Sequence, residues 1–155
     1  MKITGERGIG NLLKVILQIS LIIGIIILIG LYSITKIVNI KFDLFIIMIY
    51  PCGISLLLLI YQFVGLFNSL KHNNPFCLEN VQRMKKGMIA SFIISLLIII
   101  ALLLTIFLYD YYSLQLKVAL AFMSILFFGV GIALYILAEL FNEATTYKEE
   151  NDLTI

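Results

Sequence analysis

Four long runs without a charged residue divide the chain. They contain 21, 27, 23 and 21 residues and lie between Lys14 and Lys36, Asp43 and Lys71, Lys86 and Asp110, and Lys117 and Glu139. A helix needs about 20 apolar residues to cross a hydrocarbon core of about 30 Å. A charge at the helix centre costs about 2.5–3.5 kcal/mol on insertion scales. Each run is therefore long enough to cross a bilayer once and too short to cross it twice.

The four runs predict an all-α, polytopic membrane protein. We expect a single membrane domain, residues 1–155, folded as a four-transmembrane-helix bundle. The expected helices are at about residues 12–34, 44–67, 87–109 and 116–141, with a loop at 68–86 and an acidic tail at 142–155. The first run exceeds the apolar core of a signal peptide and is followed by no small-residue cleavage site, so we expect a retained helix.

Composition supports this fold class. The chain is 62% hydrophobic and 13% charged, and its mean hydropathy is +1.10. A soluble domain has about 25% charged residues. Lipid is therefore the expected solvent for most of the chain, and the bilayer is its first partner.

Basic residues are unevenly divided between the two sides that four spans create. The side with both termini and the 68–86 loop carries eight of the 11 basic residues. Basic residues near the ends of spans are retained in the cytoplasm. The sequence therefore predicts that both termini and this loop lie in the cytoplasm.

The stretch "KHNNPFCLENVQRMKK", residues 71–86, is a long polar interruption. Asn74 followed by Pro75 is a suitable helix start, because asparagine caps free amides and proline fits the first turn. Apolar residues then recur at helical spacing at Leu78, Val81, Met84 and Met88. We expect a short amphipathic helix here, between the second and third spans, lying on the inner membrane surface. The alternative is a solvated connector whose lysines set the orientation.

The carboxyl-terminal tail is acidic. Five carboxylates between Glu139 and Asp152 accompany a single lysine, Lys148. Apolar residues recur at helical spacing here too, which predicts that the fourth helix continues past the bilayer. We expect the tail to fold back against the basic residues Arg83, Lys85 and Lys86, although exposed ion pairs are worth only about 0.2–1 kcal/mol each.

Two of the spans contain residues that affect helix geometry. Pro51 removes a backbone donor and predicts a kink in the second span. Gly129 and Ala133 form a small-xxx-small pair that lets another backbone approach closely. The pair fits packing within the chain or a homo-oligomer seam, and the sequence leaves both open.

The sequence shows no pattern for catalysis, a cofactor or a metal ion. His72 is the single histidine, so a zinc site has too few ligands. His72 and Cys77 lack a third group that would orient a Cys–His pair. The spans carry no charge near their centres, which disfavours ion-coupled transport. We expect no enzyme, no cofactor and no direct contact with nucleic acid.

The segment "NNPFCLENVQRMKKGM" and the terminal "EENDLTI" resemble the bacterial membrane-protein family catalogued as domain of unknown function 2975. The resemblance covers essentially the whole chain; Cys77 departs from it, since the family more often has a small hydroxyl residue there. The candidate motif or partner-contact residues that it implies are Asn74, Pro75, Phe76, Glu79, Asn80, Arg83, Glu149, Glu150, Asn151, Asp152 and Leu153.

The resemblance brings no established activity. It implies that such proteins are often encoded beside small helix-turn-helix regulators, and a chain whose hydrophilic part is mostly cytoplasmic suits the control of such a partner. We therefore expect a non-enzymatic anchor or regulatory partner of a helix-turn-helix transcription regulator. The alternative is a small transport or self-protection protein acting within the bilayer. That alternative predicts solute flux or peptide resistance that survives removal of the tail.

Overall fold

The described part of the chain forms four long α-helices, as the charge-free runs predict. The structure is a computed structural model that describes residues 9–37, 44–71, 76–107 and 114–152. Its helices are α1 (Ile9–Ile37), α2 (Leu44–Lys71), α3 (Leu78–Phe107) and α4 (Leu114–Asp152). All four are long and apolar enough to cross a membrane. The protein is thus all-helical, with four candidate membrane spans.

The helices lie in chain order, each antiparallel to the next. Contacts between backbones join α1 to α2, α2 to α3 and α3 to α4. Within the described residues, α1 contacts no helix other than α2. The arrangement is therefore an open row with α1 at its edge, and the bundle expected from the sequence is not closed by an α1–α4 contact. In a membrane, lipid tails cover such open faces without a hydrophobic cost.

The most buried surface belongs to α3. A small core joins Ala90 and Ile94 of α3 to Leu59 of α2 and Leu134 of α4. Ile94 is the most buried of the four and is 1% exposed. Because α3 packs on both neighbours, it positions α2 and α4 relative to each other.

Serine hydroxyls reinforce the contact between α3 and α4. Ser91 Oγ donates to the carbonyl of Phe127 at 2.7 Å, and Ser95 Oγ donates to the carbonyl of Ser124 at 2.9 Å. Both serines are almost completely buried. In lipid, apolar side chains gain little by leaving the solvent, so small residues and interhelical hydrogen bonds contribute a larger share of helix association.

Reciprocal leucine–glycine contacts join α1 to α2. A Cβ at Gly24 would lie 2.7 Å from Leu57 Cδ2, and a Cβ at Gly53 would lie 2.6 Å from Leu28 Cδ2. Each helix thus inserts a leucine over a glycine of the other. The remaining surface of α1 is mostly exposed isoleucine and leucine, as a lipid-facing span requires.

Of the two alternatives predicted for the small residues of α4, packing within the chain is not found at Gly129, and the homo-oligomer seam stays a prediction. Gly129 and Ala133 are exposed, and a Cβ at Gly129 would meet no atom within 4 Å. Gly131 is buried instead, with Phe92 of α3 lying over it. The small-xxx-small pair therefore faces outward, and the close packing of α4 on α3 occurs at Gly131, midway between the two residues of the pair.

The separate surface helix expected between the second and third spans is not shown. Residues 78–86 are the first turns of α3, which continues without a break to Phe107. Val81 and Met84, two of the apolar residues that suggested a surface helix, are 4% and 6% exposed. The helical periodicity correctly predicted a helix here, but Val81 and Met84 are buried against protein and do not face the membrane surface.

Candidate functional site at the two-helix extension

Two helices extend beyond their apolar spans at the same end of the molecule. We call residues 76–86 and 139–152 the two-helix extension. The 39 residues of α4 correspond to about 58 Å of helix, nearly twice the about 30 Å of a hydrocarbon core. The part from Glu139 to Asp152 alone accounts for about 21 Å. This extension contains most of the described charged residues and is the candidate functional site.

Side-chain contacts hold the two halves of the extension together. The rings of Phe76 and Phe141 lie 5.3 Å apart between centroids, tilted by 42°. Such aromatic pairs contribute about 0.5–1.5 kcal/mol beyond their buried area. Lys85 Nζ lies 3.2 Å from Glu139 Oε1, with both side chains close to half exposed. The aromatic contact therefore outweighs the solvent-screened ion pair.

The interior of the extension also contains polar side chains. Asn80 is 1% exposed and Thr145 is 3% exposed. Thr145 Oγ1 donates to the carbonyl of Phe141 at 2.7 Å, one turn earlier in α4. A threonine can be buried here because a carbonyl of its own helix accepts the hydrogen bond from its hydroxyl group.

The first turn of α3 is tied to the residue before it. The Cys77 carbonyl accepts the backbone amides of Asn80 at 3.0 Å and Val81 at 3.4 Å. The helix therefore begins directly after Cys77, close to the start that Asn74 and Pro75 predict. The proposed capping by Asn74 concerns residues outside the described ranges.

Arg83 connects the extension to α2. Its Nη2 lies 2.5 Å from Glu79 Oε1, one turn earlier in α3. Its guanidinium lies against the backbone of Gly65, where a Cβ would overlap it. Arg83 Nε is buried, and no acceptor for it is found within the described residues. A glycine on α2 thus creates the space in which the arginine packs.

The acidic end of the chain meets the basic segment through helix packing. Within the described residues, α4 stays helical through Asp152, and antiparallel packing places Glu139, which precedes the 142–155 tail, beside Lys85. Glu143, Glu149 and Glu150 are exposed. The continued helix therefore brings one carboxylate, that of Glu139, to the basic segment and leaves these three glutamates facing outward.

The outer surface of this extension combines charge with apolar area. Tyr147 is 70% exposed and Leu140 is 56% exposed. With Glu143 and Glu150 they follow the 3–4–3 spacing that places residues on one side of a helix. Within the described part of the chain, no group of three or more His, Cys, Asp or Glu side chains could hold a metal ion. The surface is suited to contact with another macromolecule by charge and apolar packing.

A family comparison covers this extension and the spans together. The model of the family described as "Protein of unknown function (DUF2975)" matches residues 13–155. The chain belongs to this family. No curated protein and no solved structure gives a significant match to it.

The structure of this DUF2975 protein brings some of the predicted motif residues together. Four of them lie in the α3 half of the extension: Phe76, Glu79, Asn80 and Arg83. Glu149, Glu150 and Asn151 lie in the last turns of α4. Asn74, Pro75 and Leu153 lie outside the described residues, as does the Asp152 side chain. In the described part, Phe76 and Arg83 contact neighbouring helices, whereas the α4 motif residues are exposed.

Sequence reasoning missed three residues of this DUF2975 site. Phe141 and Glu139 complete contacts with Phe76 and Lys85, and Gly65 receives Arg83. Helical spacing placed Phe141 on a face of α4 but could not give its partner. Gly65 carries no local signal, because its role depends on how α2 and α3 pack.

Proposed function

We propose that the protein is a non-enzymatic membrane anchor or regulatory partner of a basic cytoplasmic protein, a helix-turn-helix transcription regulator. The observation that carries the proposal is the acidic half of the extension, which continues about 21 Å past the last apolar run with Glu143, Glu149 and Glu150 exposed. A helix that only crosses a membrane does not need this length.

The proposed orientation places this extension in the cytoplasm. Eight of the 11 basic residues lie on the side of the termini and the 68–86 segment, and basic residues flanking spans favour the cytoplasmic face. A cytoplasmic regulator can then reach the extension directly. The membrane concerned is the bacterial cytoplasmic membrane.

Charge complementarity identifies the chemistry of the partner. A DNA-binding protein carries clustered lysine and arginine side chains that neutralise phosphates. An acidic helix presents the opposite charge to the same side chains and competes with DNA for them. Tyr147 and Leu140, exposed on the same face, add apolar contacts that a purely electrostatic encounter lacks. The regulator would be held at the membrane and released when DNA binds more tightly.

The test compares where the regulator is found in cells that carry charge variants. In the triple variant Glu143→Gln, Glu149→Gln and Glu150→Gln, the regulator should move from the membrane to the soluble fraction. The triple Asp variant keeps the charges and should retain it. Both variants should insert normally, since the three residues are exposed on the extension. A regulator that stays at the membrane in the Gln triple would refute the proposal.

A further inference from the structure

A groove on one side of the α1–α2 contact is lined mostly by apolar side chains. Its volume is about 560 Å³, and its lining includes Gln18, Ile19, Ile22, Tyr61 and Val64. This volume falls within the range of about 300–1,000 Å³ that is usual for small-molecule sites. The groove is open to the surrounding lipid, and neither the proposed regulator contact nor the extension involves it.

A cation lies one helical turn beyond one end of this groove. Lys14 Nζ donates to Asn68 Oδ1 across the two helices at 2.7 Å. Lys14 precedes Gln18 by one turn of α1, and Asn68 follows Val64 by one turn of α2, so each pair shares a helix face. The Lys14–Asn68 pair therefore lies about one turn beyond the groove lining, in which Gln18 and Tyr61 are set among aliphatic side chains.

We propose that this groove binds one anionic phospholipid. The phosphate lies against the Lys14 ammonium and the Asn68 amide, and an acyl chain follows Ile19, Ile22 and Val64. Charge complementarity identifies the headgroup, since a lysine at a membrane interface attracts anionic lipid. The apolar length distinguishes a lipid from free phosphate, which has nothing to place there.

The position of Lys14 along the helix axis agrees with a phospholipid headgroup. Lys14 lies near the amino end of α1 and bonds to the last turns of α2, at the end of the molecule where Arg83 and the extension lie. A lysine at this position extends its ammonium to the headgroup region while its methylenes stay in the apolar layer. The inference does not depend on the proposed regulator.

The first test measures lipid retention by the full chain. The protein is purified in a nonionic detergent, mixed with phosphatidylglycerol or phosphatidylcholine of the same chain length, and examined by native mass spectrometry. Wild type should retain one phosphatidylglycerol in preference to phosphatidylcholine. Lys14→Gln should lower that preference about fivefold, the value of one interfacial charge. Lys86→Gln, which removes an exposed charge on α3, should leave it unchanged.

The second test fills the groove. Val64→Phe should displace the lipid, whereas Leu58→Phe, at an exposed position of α2 outside the groove, should not. This pair keeps the test decisive if Lys14→Gln fails to fold. Glycerol phosphate and inorganic phosphate should not be retained.

Several results would overturn the inference. Equal losses in Lys14→Gln and Lys86→Gln, equal retention of both lipids, or retained lipid in Val64→Phe would show non-specific lipid only. Retention of glycerol phosphate would identify a simple anion site. A dimer that Val64→Phe dissociates would identify a second copy as the occupant.

Discussion

Two glycines of α4, separated by one residue, should respond in opposite ways to the same added methyl group. Gly131 is buried, and a Cβ there would lie 2.5 Å from Phe92 Cε1 and 2.7 Å from Cδ1. Real Cβ atoms do not approach so closely, so Gly131→Ala must displace an aromatic ring or separate α3 from α4. Gly129 is exposed, and its added Cβ would meet nothing within 4 Å.

The expected difference in stability between the two variants follows from comparing what each substitution changes. Both replace glycine by alanine within a helix and gain about 1 kcal/mol of helix propensity. Only Gly131→Ala also overpacks a buried contact, which costs about 1–3 kcal/mol. Phe92 also contacts Phe128, with ring centroids 5.5 Å apart, so its ring has limited freedom to move away. The difference between the two variants should therefore be about 1–3 kcal/mol, with Gly131→Ala the less stable.

The assay is reversible unfolding in mixed micelles, with helicity followed by circular dichroism as the denaturing detergent increases. Ala133→Gly, at an exposed position of the same helix, controls for helix propensity in the opposite direction. The reasoning fails if Gly129→Ala is as destabilising as Gly131→Ala. That result would mean that Gly129, part of the small-xxx-small pair, makes the close contact.

Two further predictions concern how α3 and α4 are joined. The double variant Ser91→Ala and Ser95→Ala removes two interhelical hydrogen bonds. Each is worth about 0.6 kcal/mol in membranes, so the free energy of unfolding should fall by about 1.2 kcal/mol. An unchanged free energy of unfolding in the same micelle assay would contradict these hydrogen bonds. A double-mutant cycle on Lys85 and Glu139 should give a coupling of about 0.2–1 kcal/mol, because the pair is partly exposed. The coupling should fall in 1 M salt, and a salt-independent coupling would argue against an ion pair.

The existence and order of the helices follow from charge spacing, but their ends do not. A charge-free run of about 20 residues can lie in the hydrocarbon core without burying a charge, so the four runs located the four spans. It also suggested that the third span starts near residue 87, whereas α3 starts at Leu78. Helices do not end at a membrane surface when their apolar side remains buried in protein, as Val81 and Met84 do here. Periodicity detected this face and could not identify what covers it.

Contacts between helices were the least predictable feature. A span surrounded by lipid is apolar on every side, so no pattern shows which side faces a neighbour. This is why the sequence favoured Gly129 while the structure buries Gly131, and why Gly65 gave no sign of receiving Arg83. The acidic tail was predicted to fold back on the basic segment; the ion pair found there comes from Glu139, which precedes the tail, and it depends on antiparallel helix packing, a tertiary property.

The account depends on a helical extension that leaves the membrane on the cytoplasmic side. The most direct measurement labels a single cysteine, Glu150→Cys in a background with Cys52→Ser and Cys77→Ser, using a membrane-impermeant maleimide. We predict labelling in inverted membrane vesicles and none in intact cells with a permeabilised outer layer. Labelling in the intact cells would place the extension outside and contradict the account.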